Sequence, residues 1–339
     1  ALARSRLLTW PGKLRAATEV LRPRTSIDGD SIGAYVRSRF GDQVHERLVD
    51  PLVGSIYAAD TDRFSLAAVP QIAELARGNR SVLVAARSRP APPASAEPVF
   101  YAPVGGLGRL IEVAAQSIAA RGGVVRTGVP CTTLEADGDV WRVDGDVADR
   151  VVLACPAAQA ARLVPAGEAA DGLRGIPAAD VVMVTVAVPA ATWPERLHGL
   201  SGYLVPKPVQ HLVTAVSFGS QKWQHWQADG SVVLRISLGR DGLPVLALSN
   251  DQLVEAAISE TSEHLGVQLA PIEVRVTPWQ RAFPQYRPHH AAKVAAISAA
   301  LAPGLVLAGA SYHGIGIPTC IRSAQQAATS VLSSLAVGS

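Results

Sequence analysis

The order of element types along the chain limits its fold more than any single motif does. Residues 2–22 are helix-prone, with Pro11 and Gly12 starting a second helix after a turn. Ser31 caps a stripe of Ile32, Tyr35 and Val36 that Gly41 ends, Gln43 to Val49 resumes helically toward Pro51, and Ser65 to Arg77 adds one more helix. Between them Pro51 to Asp62 is mostly apolar, and Gly54 lets backbones approach closely there. Ser88 to Pro98, rich in Pro, Ala and Ser, reads as an exposed connection. Then the period changes. Arg109 to Arg121 predicts a helix with Leu110, Val113, Ala114, Ser117 and Ile118 on one face, and short β-prone runs follow at Val124–Thr127, Cys131–Leu134, Val140–Val143 and Val151–Ala154. The β-branched run Asp180–Pro189 opens a further set of strands at Gly202–Pro206, Leu212–Phe218, Val232–Leu238 and Ile272–Thr277. With a helix over Asp251–Leu265, they predict an antiparallel sheet. Leu305–Ala308 and Pro318–Leu335 then restore strand and helix. This return predicts a mixed α/β (α+β) chain whose two domains interleave instead of following in series.

Composition narrows the function classes. With 339 residues, 48% of them hydrophobic, the chain can bury one large core or two moderate ones. Its formal charge of +3 is spread thinly, apart from Arg4, Arg6, Lys13, Arg15, Arg22 and Arg24 near the start. A nucleic-acid surface needs that charge gathered on one face, so this class is set aside; the early cluster suits a solvated helical face or weak attraction for anionic lipid or substrate. Cys131, Cys155 and Cys320 have neither paired nor metal spacing and fit a reducing compartment. No run of eighteen apolar residues exists to span a bilayer. The histidines, including the adjacent His289 and His290, form no metal set, and the sequence offers no convincing catalytic triad.

The end of the chain offers a candidate cofactor site, built from a strand, glycine loop and helix that also occur together in α/β proteins generally. Leu305–Ala308 leads into Gly309-Ala310, a loop with Gly314 and Gly316, and a helix opened by Pro318. Gly309 puts no side chain in the way of a phosphate or ribityl chain, and Gly314 and Gly316 can turn backbone toward a planar ring. Pro318 near the first helical position loses no needed hydrogen bond. Free N–H groups around Ile317 to Cys320 and the positive helix end would face the charge that a reduced isoalloxazine carries near N1 and O2.

The stretch Leu307-Ala308-Gly309 through Gly314-Ile315-Gly316-Ile317-Pro318, with Cys320-Ile321, resembles the C-terminal flavin signature of the protoporphyrinogen and coproporphyrinogen oxidases, amine-oxidase-like flavoproteins. So do Asp50-Pro51-Leu52-Val53-Gly54-Ser55-Ile56-Tyr57-Ala58 with Asp60, then Gly105-Gly106-Leu107-Gly108-Arg109-Leu110, then Trp279 with Pro284-Gln285-Tyr286 and His290, in the family's order across nearly the whole chain. His289 replaces the glycine that usually precedes that histidine. The resemblance implies an FAD/NAD(P)-binding amine-oxidase-like fold divided into a helical substrate or membrane-proximal region (1–95), the middle of an FAD domain (96–170), a substrate domain with the antiparallel sheet (171–278) and the C-terminal part of the FAD domain (279–339). It implies FAD as cofactor and six-electron oxidation of a porphyrinogen, with hydride passing from the macrocycle to flavin N5 and molecular oxygen as acceptor, yielding peroxide. The resemblance leaves the chemistry to the flavin with no catalytic side chain and, taken with the Ala- and Arg-rich composition, implies coproporphyrinogen III as substrate, with protoporphyrinogen IX, another amine-oxidase-like reaction, or an inactive heme-pathway interaction protein as alternatives.

For the cofactor the resemblance implies Val129, Trp279, Gly309, Ala310, Gly314, Gly316, Ile317, Pro318 and Cys320; for propionate recognition Tyr57, Arg63, Arg281 and Arg287 are available. A heme-pathway enzyme partner and a cytoplasmic place, peripheral to the inner face of the membrane, are further expectations. The Gly-x-Gly-x-x-Gly dinucleotide fingerprint is not in the sequence, and Gly105 to Gly108 has the wrong spacing for it. The expected fold is therefore N-terminally incomplete, and the chain alone is expected to hold FAD poorly.

Overall fold

The computed structural model describes residues 5–25, 30–88, 101–227 and 230–337. Arg4 of the basic cluster and nearly all of the Pro-rich connection lie outside these residues. The helical region holds α1 (Trp10–Ala17), α2 (Ile32–Phe40), α3 (Asp50–Tyr57), α4 (Pro70–Gly78) and α5 (Val82–Ser88). Caps set the first two starts: Thr9 Oγ1 accepts from Gly12 N–H at 3.3 Å, and Ser31 Oγ from Ala34 N–H at 3.1 Å. Pro51 does not stop the helical run before it. A π-helical turn over His45–Val49 passes straight into α3, where Pro51 falls in the first turn and lacks only an N–H that the turn does not need. The single helix expected from Ser65 is instead a Ser65-capped turn over Leu66–Ala68 followed by α4, because Pro70 begins a new helix. Ile32, Val36, Phe64 and Leu66 form the core of this region, joined by Tyr286 from far along the chain. The buried Glu19 pairs with Arg39 and also accepts from Val82 N–H at 2.9 Å, so one carboxylate anchors α2 and caps α5.

α6 (Gly108–Ala120) corrects one expectation. Its apolar stripe is only partly covered: Leu110, Val113 and Ile118 are 39%, 45% and 47% exposed. Val124–Thr127 forms no strand. β1 (Leu134–Asp137), β2 (Val140–Val143) and β3 (Asp146–Ala148) make a small antiparallel sheet. β4 (Val151–Leu153), α7 (Ala157–Leu163) and α8 (Glu168–Arg174) follow.

The larger sheet comprises β5 (Ala178–Pro189), β6 (Gly202–Leu204), β7 (Val213–Phe218), β8 (Ser231–Leu238) and β9 (Glu273–Pro284) in the order β6-β7-β8-β5-β9. Val182, Val184, Val186 and Val188 on β5 and Leu234, Ile236 and Leu238 on β8 are buried against α9 (Asn250–Leu265), whose start is a Ser249–Gln252 capping box. β9 runs seven residues beyond the expected Thr277, through Pro278; as an edge strand it tolerates a residue without an N–H. α10 (His290–Ala300) then leads to β10 (Leu305–Leu307), which pairs in parallel with β4, Val306 opposite Val152, before α11 (Ile317–Val337). β4, α7, α8, α10 and β10 share one core, so residues on both sides of the large sheet in sequence meet in space.

Candidate functional site

The loop between β10 and α11 is fixed at several points. Ala308 N–H donates to Leu153 O at 3.1 Å, Gly309 N–H to Ser323 Oγ at 3.0 Å, and Ala157 N–H to Ser311 Oγ at 3.1 Å. Tyr286 Oη accepts from Gly314 N–H at 2.7 Å and donates to Ala310 O. Gly309 has φ +108° and Gly316 φ +116°, values that L side chains avoid, and a Cβ on Gly316 would meet nothing within 4 Å. At the helix start Thr319 and Cys320 N–H both turn back to Gly316 O, at 3.1 and 3.0 Å. Fewer donors are therefore free than the sequence predicts: Ile317 N–H remains without an acceptor among the described residues, because the first turn closes on a single carbonyl. Open space over Gly316, one free N–H at a positive helix end, and the half-exposed apolar side chains Ile317 and Ile321 fit the ring end of a flavin.

A second feature lies on the large sheet, on the face opposite its core. Side chains alternate across a strand, so Met183, Arg235, Ser237, Ala215 and Ser217 share that face, with Met183 opposite Ser237 and Ser217 opposite Arg235. They form the floor of a pocket of about 450 Å³ whose rim includes Ile56 of α3, Tyr203, Leu204, Phe283 and Lys222. The Arg235 guanidinium lies 5.6 Å from the centre of the Trp226 ring, which orients it. A flat floor of small side chains, an apolar rim and two cations suit a planar ligand bearing carboxylates.

Two charged clusters flank α3, the helix that supplies Ile56 to this pocket. Arg240 Nη1 donates to Asp50 Oδ2 at 2.8 Å, Thr61 Oγ1 donates to Asp50 Oδ1, and His45 Nε2 lies 2.8 Å from Thr61 Oγ1. Lys207 reaches Asp62 at 2.8 Å, and Arg37 pairs with it as well. Burial would raise the Asp62 carboxyl, but the Arg37 and Lys207 hydrogen bonds outweigh it and hold the group far below the usual carboxylate range. The His45 imidazole is pushed down, first by burial and then by Arg37.

The structure separates the expected substrate residues. Arg63 and Arg287 both bind Asp241, at 2.6 Å each, tying the helical region to the sheet domain, and neither lines the sheet-face pocket. Burial raises Asp241, and hydrogen bonds from Arg287 and Arg63 more than reverse it. Arg281 is a strained residue at φ +47° whose N–H donates to Asp180 Oδ1 at 2.7 Å. Tyr57 instead lines a separate cavity of about 610 Å³ with Tyr286, His290, Tyr312 and Gly314. Val129 and Trp279 are 62% and 51% exposed, while Cys320 Sγ lies 4.0 Å from Gly314 O. Lys222 and Arg235 escaped sequence reading. Arg235 was detectable as the charged residue on the alternate face of the Ser231–Leu238 strand pattern.

No helix among the described residues is long and apolar enough to cross a membrane. Residues 1–332 match the family of flavin-containing amine oxidoreductases. The coproporphyrinogen III oxidase of Mycobacterium tuberculosis (strain ATCC 25618 / H37Rv) is 37% identical over 331 residues, 95% of this chain and 71% of that protein. The protoporphyrinogen oxidase of Macaca fascicularis is 28% identical, over 97% of this chain and 73% of its own length. Among solved structures, a protein from Exiguobacterium sp. 255-15 superposes with a TM-score of 0.83 at 27% identity, covering 97% of this chain and 73% of that one. The chain belongs to the flavin-containing amine oxidoreductase family, and its cofactor is FAD.

Proposed function

We propose that the protein carries out the FAD-dependent, oxygen-using oxidation of coproporphyrinogen III to coproporphyrin III. The observation that carries this reading is the sheet-face pocket, whose small-residue floor and paired cations Lys222 and Arg235 match a flat macrocycle with peripheral propionates. FAD, when bound, supplies a two-electron acceptor, so the six-electron change takes three passes. The chain's own residues orient the reactants. Met183, Ala215, Ser217 and Ser237 let the macrocycle lie flat, Ile56 and Phe283 exclude water from its edge, and Lys222 and Arg235 hold its carboxylates. The loop from Gly309 to Pro318 faces the flavin ring, with Ile317 N–H toward its reducible end.

In this reading residues 96–170 and 279–339 belong to the cofactor domain and 1–95 and 171–278 to the substrate domain. The protein works in the cytoplasm, where the exposed Trp10 and Leu14 of α1, beside Lys13, touch the inner face of the membrane. Protoporphyrinogen IX is the second reading, favoured by a pocket that offers two cations, enough for its two propionates. Oxygen uptake by the FAD-loaded protein with each porphyrinogen decides between them: faster turnover of coproporphyrinogen III supports the first, faster turnover of protoporphyrinogen IX the second, and turnover of neither overturns both.

A further inference from the structure

The turn from β9 into α10 touches both halves of the site. Phe283, near the end of β9, lines the sheet-face pocket. Two residues on, Gln285 is fully buried, and its Nε2 donates to Tyr57 O at 3.1 Å and Ala58 O at 3.2 Å, fixing the end of the helix that supplies Ile56 to the same pocket. Next comes Tyr286. Its hydroxyl donates to Ala310 O and accepts from Gly314 N–H at 2.7 Å, bridging the two limbs of the glycine loop. Its ring lies between two others, 3.9 Å from His290 at 10° and 6.0 Å from Phe64 at 6° between planes. Tyr286 O also accepts from Ser65 N–H at 2.7 Å, so backbone and ring are both immobilised before the hydroxyl reaches the loop. A hydroxyl that satisfies one acceptor and one donor four residues apart fixes the width of the loop, and with it the direction of the helix start that follows.

We propose that Tyr286 is a positioning residue for the cofactor: its hydroxyl clasps the loop so that the start of α11 is held against the flavin ring, on the same rigid turn that forms one edge of the substrate pocket. The proposal rests on the reading that the loop from Gly309 to Pro318 faces the flavin. The alternative is a core tyrosine whose hydrogen bonds merely satisfy a buried hydroxyl.

Tyr286→Phe separates the two, because it keeps both ring stacks and removes only the clasp. Two measurements on wild-type and variant FAD-loaded protein are needed: amide hydrogen exchange across residues 309–320 and the two-electron potential of the flavin. The clasp predicts roughly tenfold faster exchange at Gly314 and its neighbours. A comparable loss in stabilisation of reduced over oxidised flavin lowers the potential by about 30 mV, the two-electron equivalent of tenfold. Phe64→Leu, which loosens the same stack from the other side while sparing the hydroxyl, is the packing control and should leave the potential in place. Unchanged loop exchange in Tyr286→Phe overturns the clasp itself and leaves the flavin-facing reading standing. Faster exchange with an unchanged potential overturns the flavin-facing reading, and the positioning role with it.

Discussion

Replacing Arg240 with leucine should destabilise the protein far more than the loss of an ordinary ion pair. Asp50 is 0% and Arg240 7% exposed, and the guanidinium lies 2.8 Å from the carboxylate. Without it, Asp50 keeps the Thr61 hydroxyl but no hydrogen-bonded cation. An isolated buried carboxylate left this way typically costs about 3–5 kcal/mol, a large share of the roughly 5–15 kcal/mol that holds a domain together. An exposed pair would cost about 1 kcal/mol or less. Gly54 is what lets α3 approach this pair, since a Cβ there would stand 2.6 Å from Arg240 Nη1 and 3.1 Å from Ala59 O. Urea unfolding of the FAD-loaded protein, followed by tryptophan fluorescence, reads the effect. With a slope of about 3 kcal/mol per molar urea, the midpoint should fall by on the order of 1 M. The double variant Asp50→Leu with Arg240→Leu should recover much of the loss, since the penalty lies in the orphaned charge. A single variant that loses less than about 1 kcal/mol, or a double variant as unstable as the sum of its parts, would refute the reasoning.

Three other outcomes follow from the same geometry. Burial holds the His290 imidazole down to about 4 from its ordinary 6.5, so its contribution is whole above pH 6.5 and is lost as the pH falls toward 4, about 3 kcal/mol in all; acid-unfolding curves of His290→Gln should be correspondingly flatter in that window, and curves parallel to wild type would contradict this. Gly316→Val places a branched side chain at φ +116° in otherwise open space, and the resulting strain of about 1–3 kcal/mol should weaken FAD binding roughly tenfold or more in a fluorescence titration; unaltered affinity would show that the loop does not meet the cofactor. Arg235→Ala should raise the KM for coproporphyrinogen III about tenfold or more with kcat retained, whereas an unchanged KM would remove Arg235 from the substrate site.

Much of the fold was legible because its signals are local. The alternation in Asp180–Pro189 and Ser231–Leu238 reports burial on one face of a strand, and the helical spacing behind the expected Asp251–Leu265 helix places the start of α9 within one residue of Asn250. The glycine loop was legible because φ values near +110° admit little else. What escaped depends on contacts distant in sequence. Arg63 and Arg287 look like free cations until the fold brings Asp241 between them, and Arg240 gains meaning only from Asp50 across 190 positions. Pro51 and Pro70 show the same limit in local form: a proline ends a helix or begins one according to whether the preceding turn can continue, and the π-helical turn before Pro51 does. The stripe on α6 stays partly exposed among the described residues, because amphipathicity states what a helix can bury and not what lies opposite.

The most direct test of the account is anaerobic. Coproporphyrinogen III is mixed with the FAD-loaded protein in the absence of oxygen and the visible flavin band is followed. Oxidation at the sheet-face pocket predicts that the band bleaches in proportion to enzyme, that air restores it, and that Arg235→Ala needs more substrate for the same bleaching. A flavin band that stays unchanged at saturating coproporphyrinogen III would contradict the central claim.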